Sequence, residues 1–532
     1  MQAFGLSCQG GLNTNLNQFQ MLEQPGFATE LENFEVDPDG GYRRINGYTQ
    51  FGDTNPNSSN SILGLFVYAD GVIACSGTNI YFSLDGESWL QINKASVAGG
   101  GDDYSTFTGR STAARTGQGQ ATFALFEGAS IYGEVVITDK GSGVKPALFK
   151  MTGTGALSNR TFFYEEITVS GSVYPKYCVV HDKHLVVAGA TTALNTIYYS
   201  GTSDINSFSS TGSGSIVLDD QVVGIKSFRT DLIIFCKNSI YKLSNINDAD
   251  TIAVTPITKN VGCLDGHSIQ EIGGDLLFLS PDGFRLVAGT ERIGDVELGS
   301  VSRQIQSVVS TIAKSIDGFF VSSAVLRSKS QYRFFYSAAT GTTGTSKGLI
   351  GTITPNGFEW SETIGIQAHG FASGLDYSNI EQIYHGDSAG YVYNHNTGND
   401  FNPAGVQTNI NARYKTPNLD FGDAGTLKSL HYTKISFTPE GAVQPSLKVS
   451  YDFDSLDRPQ PPLYTLDEIP TPAVFGAGTL GSSVFGAAGD PMVRTAVQGS
   501  GHNIAFKIFS QDTKAPYSIN GFYVDYRPSG RR

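Results

Sequence analysis

The feature that most constrains this chain is residues 273–289, GGDLLFLSPDGFRLVAG. Gly273, Gly274 and Asp275 make a turn, and residues 276–279 are a short apolar run. Ser280-Pro281-Asp282-Gly283 is a second turn, because proline presets φ and glycine accepts positive φ. Residues 284–288 return as another strand. A unit this small cannot bury its own apolar face, so it requires neighbours of the same kind.

The chain supplies them. Residues 62–67, 72–75, 80–84 and 89–92 read as four short strands with turns at Asp70-Gly71 and Asp85-Gly86. Strand patterns resume at 121–126, 134–138 and 147–150, then at 177–180, 185–188 and 197–200, and at 222–225, 232–236 and 240–243. After the opening stretch come 319–326, 332–337, 348–354 and 358–361, and finally 370–375, 382–385 and 390–394. Equivalent turns near His184, Asp231, Asp275, Ser330 and Asn379 recur at roughly 50 residues, the spacing of four-stranded propeller blades. The expected fold is all-β: a propeller of six or seven degenerate blades over residues 59–401. It follows an N-terminal arm, 1–58, and precedes a C-terminal β-sandwich-like domain, 402–532, whose sheet the arm can complete.

Composition fits. Only 16% of residues are charged, against roughly 25% in an average soluble domain, while the chain holds 63 Gly, 25 Tyr and 33 Phe. A surface covered by partner subunits gives such a balance, as does a glycine-rich β protein. The net charge of −13 argues against a binder of nucleic-acid phosphates, which needs clustered Lys and Arg. It is compatible with a surface past which DNA slides, because like charge prevents adsorption. Cys8, Cys75, Cys178, Cys236 and Cys263 are odd in number and far apart, and read as free thiols acting as small hydrophobes. With neither a signal-like apolar segment nor a span of about 18 apolar residues, the expectation is a chain made and folded in a cytoplasm.

The first 58 residues are strand-poor. Residues 28–34 suit one helical turn or an extended arm, Asp37-Pro38-Asp39-Gly40-Gly41 is a turn, and 42–48 is a short strand carrying Arg43 and Arg44. The pattern Gly10-Gly11, Pro25-Gly26-x-Ala, Asn33-Phe-Glu-Val, then Gly40-Gly41-Tyr-Arg43-Arg44-Ile-x-Gly47-Tyr48 resembles the N-terminus of tail-tube and tail-nozzle proteins of tailed phages. The tail tubular protein B family of short-tailed phages is the nearest pattern, and residues 518–528 resemble that family's C-terminal strand. The resemblance implies a virion structural protein: a ring, usually six-fold, below the portal and adaptor. Its channel passes DNA without sequence-specific contacts, and its outer face docks tail fibres or spikes.

Other signals are local. Ser83-Leu-Asp85-Gly86-Glu-Ser-Trp89 is close to the Asp-box hairpin of sialidases and other propellers, a folding device with Trp89 expected beneath the Asp85–Gly86 turn. Residues 300–314 place Val301, Ile305, Val308 and Ile312 on one helical face, which suits packing between blades or docking of a neighbouring subunit. His181-Asp182-Lys183-His184 lacks the further ligands a zinc site needs and reads as a surface turn. Residues 341–348, GTTGTSKG, have the wrong Gly–Lys spacing for a phosphate loop.

With no nucleophile, acid/base or metal pattern of recognisable spacing, the sequence predicts no enzyme, metal or cofactor. Two alternatives stand beside the tail reading: a carbohydrate-binding or sialidase-like propeller, and a tail-tip or baseplate component of a longer-tailed phage.

Overall fold

The computed structural model describes residues 2–38, 40–58, 60–93, 107–108, 119–127, 131–141, 143–287, 300–338, 346–469 and 492–531. The glycine-rich segments expected as loops at 99–119, 341–348 and 475–489 lie largely or wholly outside these residues. The fold is all-β and is built on a propeller.

Among the described residues, seven sheets follow one another around an axis, at residues 62–91, 121–166, 177–217, 222–258, 270–286, 319–364 and 370–395. Six carry four strands or more, and the sheet at 270–286 has three strands among the described residues. The opening stretch lies in that sheet, where Leu277 pairs with Leu286 and Leu279 with Phe284 across the Asp282–Gly283 turn. Leu276, Leu277, Phe278 and Leu279 are all fully buried. Both faces of the strand are covered by neighbouring blades, which is why the run is continuously apolar rather than alternating. Separate apolar clusters fill the gaps between blades, for example Phe235 and Cys236 on opposite sides of one strand. Burial of each blade therefore depends on the next.

The ring closes where Gly370–Leu375 packs beside Ile62–Tyr68. The final blade takes its outer strand from the N-terminal segment, Tyr48–Gln50, which pairs with Val392–His395. That pairing corrects the expectation of one strand over 42–48. Tyr42–Arg44 instead pairs with Phe34–Val36 and with Tyr517–Arg531 in a different sheet. The break at Ile45–Gly47 is needed because the two sheets run in different places.

The sixth blade continues into the C-terminal region. Its last strand, Gly357–Ile364, pairs with Glu30–Glu32, followed in order by Ile410–Lys415, Ile504–Asp512, Ser446–Tyr451 and Tyr464–Thr465. A second sheet, centred on Tyr517–Arg531 and Thr426–Pro439, also takes up Gln2–Ser7, Phe34–Val36 and Tyr42–Arg44. Leu6, Phe34, Tyr414, Ile435, Phe506 and Phe522 belong to one core between the two sheets, the arrangement of a sandwich.

The helix begins as a 3-10 turn, Arg303–Ile305, and continues as Gln306–Ser315. Ile305, Val309 and Ile312 are buried, whereas Val301 and Val308 are only half-buried. The tighter first turn shifts the apolar face by one residue from the expected Val308. No helix among the described residues is long and apolar enough to cross a membrane.

Candidate functional site

The motif residues of the N-terminus converge at the junction between the sixth and seventh blades and the sandwich. Gly10 donates its N–H to Glu359 at 2.8 Å, and Gly11 donates to the Tyr42 hydroxyl at 3.1 Å. That hydroxyl donates in turn to the Gly26 carbonyl at 2.8 Å, in the turn opened by Pro25. A Cβ on Gly11 would lie 2.8 Å from the Trp360 main-chain nitrogen, on a backbone with φ +73°. Gly40 and Gly41, both at positive φ, carry the turn between Phe34–Val36 and Tyr42–Arg44. At Gly47 a Cβ would stand 1.7 Å from the Asp400 carbonyl oxygen.

Asn33, at φ +54°, ties the propeller to the sandwich. Its amide donates to the Ile364 and Asn411 carbonyls at 2.9 and 2.8 Å and accepts from the Ile364 N–H at 2.9 Å. Tyr48 is buried and stacks on Phe401 with centroids 5.1 Å apart.

The two arginines hold charge inside this junction. Arg44 donates to Asp512 at 3.0 Å and to the Lys514 carbonyl at 2.7 Å. Arg43 reaches Glu35 at 2.7 Å and Glu440 at 2.8 Å. Glu35 is buried and also accepts from Lys329 at 2.7 Å and Arg333 at 2.9 Å. Burial by itself pushes this carboxyl up, but Lys329, Arg333 and Arg43 together hold it down at about 2. Arg333 also donates to His395 Nε2 at 2.7 Å, and His395 Nδ1 lies 3.2 Å from His385 Nδ1. Burial drives His385 down to about 3, so this end of the network is neutral imidazole at ordinary pH. Sequence reading missed Lys329, Arg333, His385 and His395. The available signal was Glu35 itself, a carboxylate in an otherwise apolar strand opposite Arg43.

In the Asp-box, Ser83 Oγ accepts from the Gly86 N–H at 2.8 Å, and Asp85 accepts from Glu87 and Ser88 at 2.9 and 3.2 Å. Trp89 is half-buried rather than sealed beneath the turn. Its indole donates to the Gly86 and Thr54 carbonyls at 3.1 and 3.3 Å and meets Phe51 edge-on. The box thus fastens the N-terminal segment to the first blade.

His181 and His184 are buried, which corrects the surface-turn expectation. His184 lies 2.6 Å from the Ser200 carbonyl and 2.9 Å from Asn247, and His181 lies 2.9 Å from Ser227. Only Asp182 and Lys183, both at positive φ, form the exposed turn. No group of three or more possible metal ligands occurs among the described residues.

A concavity also lies on the propeller axis. Among the described residues, seven inner strands surround a half-open cavity of about 350 Å³ lined by Gln120, Lys226, His267, Glu271 and Arg327, among others. Glu271 is its one carboxylate among the described residues.

No family model matches the chain, and no curated protein matches it. Among solved structures, it is similar to the extracellular domain of a one component system from B. thetaiotaomicron (10% identity, TM-score 0.36), covering 65% of this chain and 40% of that one. It is also similar to an exo-beta-1,3-galactanase from Phanerochaete chrysosporium (9%, TM-score 0.26; 91% of this chain, 100% of that). A third is a glycoside hydrolase family 43 arabinoxylan arabinofuranohydrolase from Bacillus subtilis (10%, TM-score 0.27; 90% of this chain, 99% of that). The expectation that the chain is no enzyme is corrected here, since two of these three neighbours are glycoside hydrolases. At such identities and TM-scores the likeness assigns no reaction or substrate to it.

Proposed function

We propose that the chain is a structural subunit of a phage tail, of the nozzle or tail-tube kind. The observation that carries this reading is the convergence of the N-terminal motif on one interlocked junction. The residues that resemble the tail tubular protein B family fasten the arm to the propeller and the sandwich, so they serve architecture. In that role the protein belongs in the virion, as a homo-oligomeric ring that contacts an adaptor and a fibre or spike. Its acidic balance suits a lumen that DNA must traverse, because each lysine–phosphate contact adds affinity and slows passage. Light scattering on the purified chain, with electron microscopy of the product, tests this: closed rings with an open channel are expected. A chain that stays monomeric at high concentration, and alone with its adaptor, overturns it.

A second reading is a carbohydrate-binding propeller, favoured by the half-open axial cavity with its mixed polar and aromatic lining. Direct titration with saccharides separates the two.

A further inference from the structure

The axial cavity contains charged groups that the junction does not use. Lys226 lies on the inner strand Val222–Phe228, Glu271 on Gln270–Ile272, and Arg327 directly after Phe319–Leu326. All three line the cavity. Lys226 is half-buried and forms no ion pair among the described residues. Burial lowers its ammonium, Glu271 acts against that, and Arg327 reinforces it. Two cations and one carboxylate leave an excess of positive charge around the cavity, which a complementary anion would offset. Phe66 and Phe123 stack with centroids 5.4 Å apart and also line the cavity, adding apolar ring surface. Its volume falls within the roughly 300–1,000 Å³ range of small-ligand sites.

We propose that this cavity binds an acidic sugar, a small polyhydroxylated molecule carrying one anionic group. Lys226 and Arg327 take the anion, Glu271 accepts from hydroxyls, and the Phe66 ring covers the sugar's apolar face. The assignment rests on the carbohydrate-binding reading and adds the charge of the ligand to it.

Calorimetric titration of the full chain with glucuronate, glucose and inorganic phosphate tests the proposal. Glucuronate should bind more tightly than glucose or phosphate, and Lys226→Met should weaken it by about tenfold or more, as expected for a charged hydrogen bond. Arg327→Met, at an exposed position, carries the same test should the Lys226 variant misfold. Phosphate binding as tightly as glucuronate overturns the sugar assignment. Equal binding of glucose and glucuronate, unchanged in both variants, overturns the anion pairing and leaves the carbohydrate reading standing. Absence of binding by either sugar overturns both.

Discussion

Phe284 stacks on Trp360 with ring centroids 5.0 Å apart and planes inclined by 22°. The contact joins the fifth blade to the sixth, and the Trp360 carbonyl accepts the Leu12 N–H of the N-terminal arm at 2.7 Å. The indole nitrogen donates to the Val301 carbonyl at 2.7 Å, so the helix segment is held at the same point. One fully buried residue therefore links two blades and the helix segment through its side chain and the arm through its main chain.

Truncation at this point is expected to be costly. Trp360→Ala should lose about 3–5 kcal/mol, the range for a large aromatic removed from a core. Trp89→Ala, at the half-buried Asp-box, should lose about 1–3 kcal/mol, since less area leaves water there. Urea unfolding of the two variants checks the order, and equal losses would contradict the assigned difference in burial.

Glu35 gives the chain a defined acid sensitivity. Its carboxyl is depressed from 4.5 to about 2 in the fold. A depressed carboxylate contributes stability that is complete above the unfolded value and is lost as pH falls through the folded one. Stability should therefore drop between about pH 4.5 and pH 2, by about 3 kcal/mol from this group. Glu35→Gln should flatten that limb. At pH 7 it should cost about 3–5 kcal/mol, because Arg43, Lys329 and Arg333 would keep buried charge without its partner. Unfolding curves of wild type and variant across pH 2–7 decide the matter.

Asn33→Ala removes three hydrogen bonds between the propeller and the sandwich and leaves the Ile364 and Asn411 groups unsatisfied. A loss of about 2–4 kcal/mol is expected. Hydrogen exchange should show the Ile364 amide losing protection first, whereas uniform loss across all blades would argue against a local clamp.

Gly47→Ala should fail for a steric reason, with its Cβ 1.7 Å from a backbone oxygen that cannot rotate away. The expected cost is about 3 kcal/mol. Gly11→Ala combines close approach with positive φ, which adds about 1–2 kcal/mol. Thermal melts of both should fall well below wild type, and an unchanged melt for Gly47→Ala would rule out the tight Asp400 approach.

Local chemistry alone determined much of the architecture. The strands 121–126, 319–326 and 370–375 lie where the apolar runs placed them. Turn chemistry and apolar periodicity act within a few residues, so they are legible without the fold. Pairing across the whole chain is not. Nothing local in Tyr48–Gln50 says that it closes a blade more than three hundred residues later, or that Glu30–Glu32 extends the sixth blade into the sandwich. Motif spacing showed Arg43 and Arg44 but not the carboxylates they meet. Glu35, Lys329 and Arg333 become one site only when the arm crosses two blades, and the charge at the propeller axis exists only once seven separate inner strands face one another.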